Sequence, residues 1–272
     1  MLYTTKTFPF EHEPKKAEIV LLGVPWDSTE TGKSVKFGPL FIREAIKNLP
    51  GFDFESKQNV FEKFKFCDLG DLEIVYGNWK LTEKRIQDTI KEIKEINPKA
   101  FPVFLGGDHL ISLGIINALK GKEKITVIHF DAHRDLMENW MGEKFSHITW
   151  AKRLLEEKGI ELIQLGSRSS SKEEEKTAKK FRIKESLKGI KGKVYISVDL
   201  DVFDPSICPE VGTPEPLGMQ QKEFFSLLKE ICSKSKVIGL DLVECASDKV
   251  NLQTALIAAN VFKKVLVWKK KE

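Results

Sequence analysis

Cysteine is scarce in this chain of 272 residues: Cys67, Cys208, Cys232 and Cys245 stand singly, with no C-x-x-C pair. That pattern excludes a disulfide framework and fits a reducing compartment, so a cytoplasmic protein is expected. Long apolar runs are also missing. Uninterrupted stretches such as 19–22 last a few residues, far short of the roughly 18 that a membrane-spanning helix needs. Residues 1–14 mix polar, acidic and aromatic side chains without an apolar segment, so no secretory signal is expected there. Charge of one sign is lacking too. Lys and Arg total 44 against 40 for Asp and Glu, a net charge of +4. Spread over this length, that is a weak field and speaks against nucleic acid or a membrane surface as partner. The two basic clusters, Lys176 with Lys179 and Lys180 and the run 269–271, lie beside acidic residues or at the chain end, and read as solvated surface. With no Pro/Gly/Ser-rich linker, repeat or low-complexity tract, residues 1–272 read as one domain.

What the chain does have is 41% apolar residues, enough to exclude disorder and to build a sizeable core. The Lys- and Glu-rich remainder resembles a thermophile surface. Segments 18–24, 101–105, 125–131, 161–166, 193–201 and 237–243 are short and rich in Ile, Val and Leu. Nearly continuous apolar character predicts strands buried on both faces. Between them, 81–96, 110–120, 148–158, 220–233 and 252–265 carry helical spacing; Phe224, Leu227, Leu228 and Ile231, for example, form one stripe. Strand–helix alternation predicts an α/β fold with a parallel sheet between helical layers. Ligand sites in such folds lie at the carboxyl ends of the strands.

Those ends are polar here. Strand 101–105 runs into Gly106-Gly107-Asp108-His109, and strand 125–130 into Asp131-Ala132-His133-Arg134-Asp135. Strand 194–198 ends in Asp199-Leu200-Asp201, and strand 237–243 leads into Glu244. Alternate residues of an extended segment share a face, so Asp131, His133 and Asp135 should converge, as should Asp199 and Asp201. Converging carboxylates repel one another unless cations lie between them. Taken singly, His109 reads as a turn residue and Asp131 or Asp199 as a helix cap. Together, acidic clusters at the ends of three buried strands call for metal. Carboxylates with imidazoles and no Cys suit a divalent ion such as Mn²⁺ rather than a zinc–thiolate site. Six ligands with four carboxylates are too many for one ion, and two ions sharing carboxylates would fit. The Gly106-Gly107 pair lets the backbone turn sharply and approach the site. His12 and His129 receive no role, the first as near-terminal and the second as facing away from the Asp131 cluster.

These motifs resemble those of the ureohydrolases, the arginase and agmatinase superfamily, over nearly the whole chain. The Gly106–His109 and Asp131–Asp135 motifs, with Ser197-Val198-Asp199-Leu200-Asp201-Val202-Phe203-Asp204-Pro205, look like its three signatures in order. Pro25-Trp26-Asp27, Lys36-Phe37-Gly38-Pro39 with Ile42-Arg43, and Gly212-Thr213-Pro214-Glu215-Pro216 look like its flanking segments. The resemblance implies a three-layer α/β/α sandwich with a mostly parallel, eight-stranded sheet, assembled as homotrimers or homohexamers. It implies two Mn²⁺ per chain, one held by His109, Asp131, Asp135 and Asp199, the other by Asp131, His133, Asp199 and Asp201. Glu244 matches the position that grips a substrate guanidinium in a bidentate fork. His147, in Phe145-Ser146-His147, matches a loop histidine that carries a proton to the leaving amine. The nucleophile would be a hydroxide bridging the metals.

Among members, the resemblance leans to agmatinase. Met137 stands where arginases usually carry Asn, and Gly166-Ser167-Arg168-Ser169-Ser170 and Ser146-His147 look agmatinase-like. Agmatine would yield urea and putrescine, a polyamine precursor. Arginine, guanidinobutyrate and N1-aminopropylagmatine are the alternative guanidino substrates, the last favoured if Glu210 lies at the rim. Arg134, Glu210, Val211, Leu217 and Cys245-Ala246 depart from the pattern. A single-zinc, deacetylase-like amidohydrolase is disfavoured by the complete second signature, and an inactive metal-binding scaffold by the absence of any lost ligand.

Overall fold

The structure, a computed structural model, describes residues 12–28 and 32–270. The expectation for the first residues and the last lysine of the 269–271 run therefore lie mostly outside the described residues. Seven parallel strands form the central sheet, in the order β4-β1-β5-β9-β8-β6-β7. They are β1 (Ile19–Val24), β4 (Phe66–Asp71), β5 (Phe101–Gly106), β6 (Ile125–Phe130), β7 (Ile160–Leu165), β8 (Lys193–Asp199) and β9 (Lys236–Val243). A separate two-residue hairpin, β2 (Phe52–Asp53) and β3 (Gln58–Asn59), does not join it. The helices are α1 (Gly38–Asn48), α2 (Val60–Lys63), α3 (Trp79–Ile96), α4 (Ile111–Lys120), α5 (Trp150–Leu155), α6 (Lys172–Phe181), α7 (Gln221–Lys234) and α8 (Gln253–Trp268).

Because successive strand residues point to opposite faces, the continuous apolar strands feed two cores. Leu21, Leu105, Ile128, Phe130, Ile196, Val198 and Leu242 pack with residues of α1, α7 and α8. Leu22, Phe104, Val127, Tyr195 and Val243 pack on the other side with residues of α3, α4 and α5. This is the expected three-layer sandwich, and the six expected strands are all present.

Among the described residues the sheet has seven strands where eight were expected. The position beyond β7 is taken by Lys184 alone, which makes a single parallel bridge to Ile163. Its carbonyl accepts from Gln164 and its amide donates to Leu162. The polar Glu185-Ser186 that follows gives no apolar side chains to bury, so the bridge does not grow into a strand. Chain order reverses between β5 and β6, which stand apart in the sheet with β9 and β8 inserted between them. A crevice at the carboxyl ends follows from that reversal. No helix among the described residues is long and apolar enough to cross a membrane.

Candidate metal centre

Four neighbouring strands deliver the site. His109 follows β5, Glu244 follows β9, Asp199 ends β8 with Asp201 two residues on, and Asp131, His133 and Asp135 follow β6. The two histidines present the same ring nitrogen to the carboxylates. His109 Nδ1 lies 3.0 Å from Asp131, 3.2 Å from Asp199 and 3.4 Å from Asp135. His133 Nδ1 lies 3.0 Å from Asp201 and 3.4 Å from Asp131. The potential ligand atoms fall into two groups that share Asp131: His109, His129, Asp131 and Asp135, and Asp131, His133 and Asp201. Five of the six expected metal residues fall in these groups, with Asp131 shared; Asp199 stands outside both, though 3.2 Å from His109 Nδ1.

The outer ring nitrogens are held from behind. His109 Nε2 is 2.9 Å from Ser197 Oγ, which donates to Asp241 Oδ1 at 2.7 Å. Ser112 and Tyr195 also donate to Asp241, each at 2.8 Å. With its hydroxyl proton committed to Asp241, Ser197 accepts from His109 Nε2–H, so in the neutral ring the lone pair is on Nδ1. That Nδ1 is fully buried and makes no hydrogen bond. An orphaned buried nitrogen facing three carboxylate oxygens is what a bound cation would satisfy. His133 Nε2 faces Glu215 at 3.5 Å. His133 is also the most exposed of the six, at 23% of its side chain, so solvent reaches the cluster on that side.

Electrostatics agree with a cation site. Burial and the neighbouring Asp131 and Asp199 charges push the Asp135 carboxyl well above the usual carboxylate range. Asp199 is driven up in the same way, by burial with Asp201 and Asp131. Burial opposes a charge on His109, but Asp131, Asp135 and Asp241 outweigh it and raise its pKa to about 9. Without a cation the cluster is a proton trap.

Glu244 is buried and accepts the His109 amide at 2.9 Å. Burial, together with Asp199 and Asp108, pushes its carboxyl well upward. Its backbone φ of +63° is a left-handed conformation, held by the Glu244 amide's bond to the Gly107 carbonyl. Such strain at a buried acid is a mark of a functional position. His147 lies in the loop before α5, with Nδ1 3.2 Å from Ser146 Oγ, close enough for its charge to act on Asp108. Asp108 itself braces the loop, accepting from Ser28 and Leu110.

His129 corrects an expectation. It does not face away: its Nε2 lies 2.6 Å from Asp131 Oδ2, because residues two apart on a strand share a face. Glu210 does not stand free at a rim either. Its carboxylate accepts from the Thr254 amide at the first turn of α8. Ser197 and Glu215 enter the sequence reading only as parts of motifs, and Asp241 and Gln164 not at all, although Asp241 in the apolar β9 is a visible signal, since a lone buried acid requires partners.

The chain is similar to known proteins over nearly its whole length. Residues 17–267 match the arginase family profile. The N(1)-aminopropylagmatine ureohydrolase of Thermococcus kodakarensis is 35% identical over 277 residues, covering 96% of this chain and 94% of that protein. The agmatinase of Pyrococcus horikoshii is 32% identical, covering 96% of each. Among solved structures, the agmatine ureohydrolase of Thermoplasma volcanium superposes with a TM-score of 0.82 at 26% identity, over 99% of this chain and 95% of that one.

Proposed function

This chain belongs to the arginase family, and we propose that it works there as an agmatinase: a metal-dependent amidinohydrolase that cleaves agmatine to urea and putrescine. The observation that carries this reading is the buried Glu244 carboxylate beside a cluster whose His109 Nδ1 is left open to a cation. His109, Asp131, Asp135 and Asp199 would hold one Mn²⁺, and Asp131, His133, Asp199 and Asp201 the other. Bound there, the pair would acidify water and supply hydroxide near neutral pH.

The chain's own groups do the rest. Glu244 offers two carboxylate oxygens to a planar guanidinium, which orients its carbon and neutralises its charge. Water adds at that carbon and the C–N bond to the alkyl chain breaks, so the departing amine needs a proton. His147 supplies it from the loop before α5. We expect the enzyme in the cytoplasm as a homotrimer or homohexamer, feeding polyamine synthesis.

N1-aminopropylagmatine is the second reading, favoured by the Thermococcus relative, an N(1)-aminopropylagmatine ureohydrolase. Glu210 does not support it, being tied to α8. Glu215, 35% exposed beside His133, is the rim carboxylate that a longer polyamine tail would meet.

The test strips metal with chelator, restores Mn²⁺ and measures urea from agmatine, aminopropylagmatine, arginine and guanidinobutyrate. Agmatine should be hydrolysed fastest, with two Mn²⁺ per chain and none of the activity before metal is restored. Hydrolysis of arginine or guanidinobutyrate while both agmatines fail would overturn the choice, and one zinc per chain would favour the deacetylase-like chemistry. His147→Ala should keep its metal and lose about 10²–10⁴-fold in turnover; lost metal would remove His147 from the proton-transfer role.

A further inference from the structure

Arg134 stands between His133 and Asp135 in the Asp131–Asp135 run, and it is buried, at 8% exposure. We propose that Arg134, Gln164 and His129 form a relay that positions the Asp131 carboxylate, with His129 a hydrogen-bond donor to Asp131 and not a metal ligand. The proposal rests on the reading of Asp131 as a metal ligand.

Gln164 decides the matter. It lies on β7, register partner of His129 on β6, and its side-chain amide sits between two groups of fixed polarity. Arg134 Nη1 donates to Gln164 Oε1 at 3.2 Å, and Gln164 Nε2 donates to the Arg134 carbonyl at 2.7 Å. A guanidinium has no acceptor and a carbonyl no donor, so the amide can face only one way. The second Nε2 hydrogen is then aimed at His129 Nδ1, 3.0 Å away. A ring nitrogen that accepts carries no proton, so the neutral imidazole keeps its hydrogen on Nε2. That hydrogen points to Asp131 Oδ2 at 2.6 Å. With its Nε2 lone pair thus absent, His129 cannot ligate at that nitrogen, although it lies among His109, Asp131 and Asp135.

Arg134 is fixed in turn. Its Nε donates to Glu175 on α6 and its Nη2 to Glu185, both at 2.6 Å. The relay therefore ties the outer helix α6 to the central carboxylate through one guanidinium, one amide and one imidazole. His129 is one hydrogen bond removed from the ligand Asp131, and partners so placed typically change metal affinity about 10–100-fold when lost; Gln164 and Arg134 act through it. A purely structural Arg134 would instead change only stability.

The experiment titrates metal-stripped protein with Mn²⁺ by calorimetry and follows melting of the metal-free chain by circular dichroism. Wild type is compared with Gln164→Met, Gln164→Glu, Arg134→Leu, His129→Asn and His109→Ala. Gln164→Glu keeps the shape but removes the donor to His129 Nδ1, so it reports even if Gln164→Met folds poorly. The Gln164 and His129 variants should bind the wild-type number of ions about 10–100-fold more weakly, and Arg134→Leu should weaken binding in the same direction. His109→Ala should lose an ion outright. If His129→Asn loses an ion as His109→Ala does, His129 is a ligand and the relay is wrong. If the Gln164 and Arg134 variants melt earlier but bind Mn²⁺ as wild type does, the network is structural and the relay is equally wrong. A wild-type chain that takes up no Mn²⁺ overturns the metal-site reading itself, an outcome distinct from both.

Discussion

At His109 Nδ1 a proton and a metal ion would compete for one lone pair. In the metal-free chain its pKa stands at about 9: burial lowers it, but Asp131, Asp135 and Asp241 raise it further. A histidine raised above its unfolded value of about 6.5 stabilises the fold fully below that value. The contribution fades as pH rises through about 9. A metal ion at Nδ1 must expel that proton, so its affinity should move the opposite way. The melting-temperature gain from saturating Mn²⁺ should therefore grow from about pH 6 to about pH 9. A gain that is flat across that range would mean Nδ1 is not a ligand. At this scale the sequence showed the residues that end strands in polar runs, because His109, Asp131 and Glu244 break an apolar pattern. It hid those whose role depends on a neighbouring strand. Gln164 matters only because register sets it across from His129, and pairing between β6 and β7 cannot be read from either segment alone.

The elements divide in the same way. Central strands were legible because burial on both faces leaves a continuous apolar run. β4 is hard to read from sequence because Phe66–Asp71 at the sheet edge has two buried residues followed by partly buried and exposed ones, and its polar Asp68 and Asp71 serve Arg43 of α1. The very polar α6 is legible only as a solvated helix face around Lys176, Lys179 and Lys180, although Ser171 and Glu174 form a capping box that marks its start. The join between elements at the site is tightest at Gly107. A Cβ there would lie 2.0 Å from the Trp26 carbonyl oxygen. At Gly106 it would meet chiefly the Val243 and Ile111 side chains, at 2.5 and 2.6 Å, which can adjust more readily than backbone. Gly107 also bonds the ends of β1 and β9, donating to Val24 and accepting from Glu244. Gly107→Ala should thus cost more than Gly106→Ala, at least about 1–3 kcal/mol from overpacking. It should also lower metal affinity, because His109 and Glu244 hang from this turn. Melting and Mn²⁺ titration of both variants check this, and equal effects would show that the turn relaxes without moving the site.

Across the whole molecule, charge is sorted along the strand axis. The carboxyl ends of the strands gather Asp131, Asp135, Asp199, Asp201 and Glu244, with Glu215 at the exposed side. At the opposite ends, a cleft of about 790 Å³ near the starts of β5, β8 and β9 is lined by eight lysines, among them Lys94, Lys120, Lys193 and Lys236, and by one acid, Glu123. The net charge of +4 averages these two ends and describes neither. Composition could not reveal this, since it depends on which end of each strand a residue occupies. Two divalent ions would neutralise the four clustered aspartates and leave Glu244 and Glu215 to attract a cation. Agmatine, carrying a guanidinium and an amine, should feel that attraction at both ends. Salt screens such fields, the Debye length shrinking from about 10 Å at 0.1 M to about 3 Å at 1 M. KM for agmatine should therefore rise several-fold over that range while kcat stays nearly constant, since the attraction acts on capture and not on the bond broken. An alkylguanidine with an uncharged tail should show a weaker dependence, because only its guanidinium meets the acidic end. Equal salt dependence for the two substrates would place no rim carboxylate within reach of the tail, and would remove Glu215 from substrate recognition.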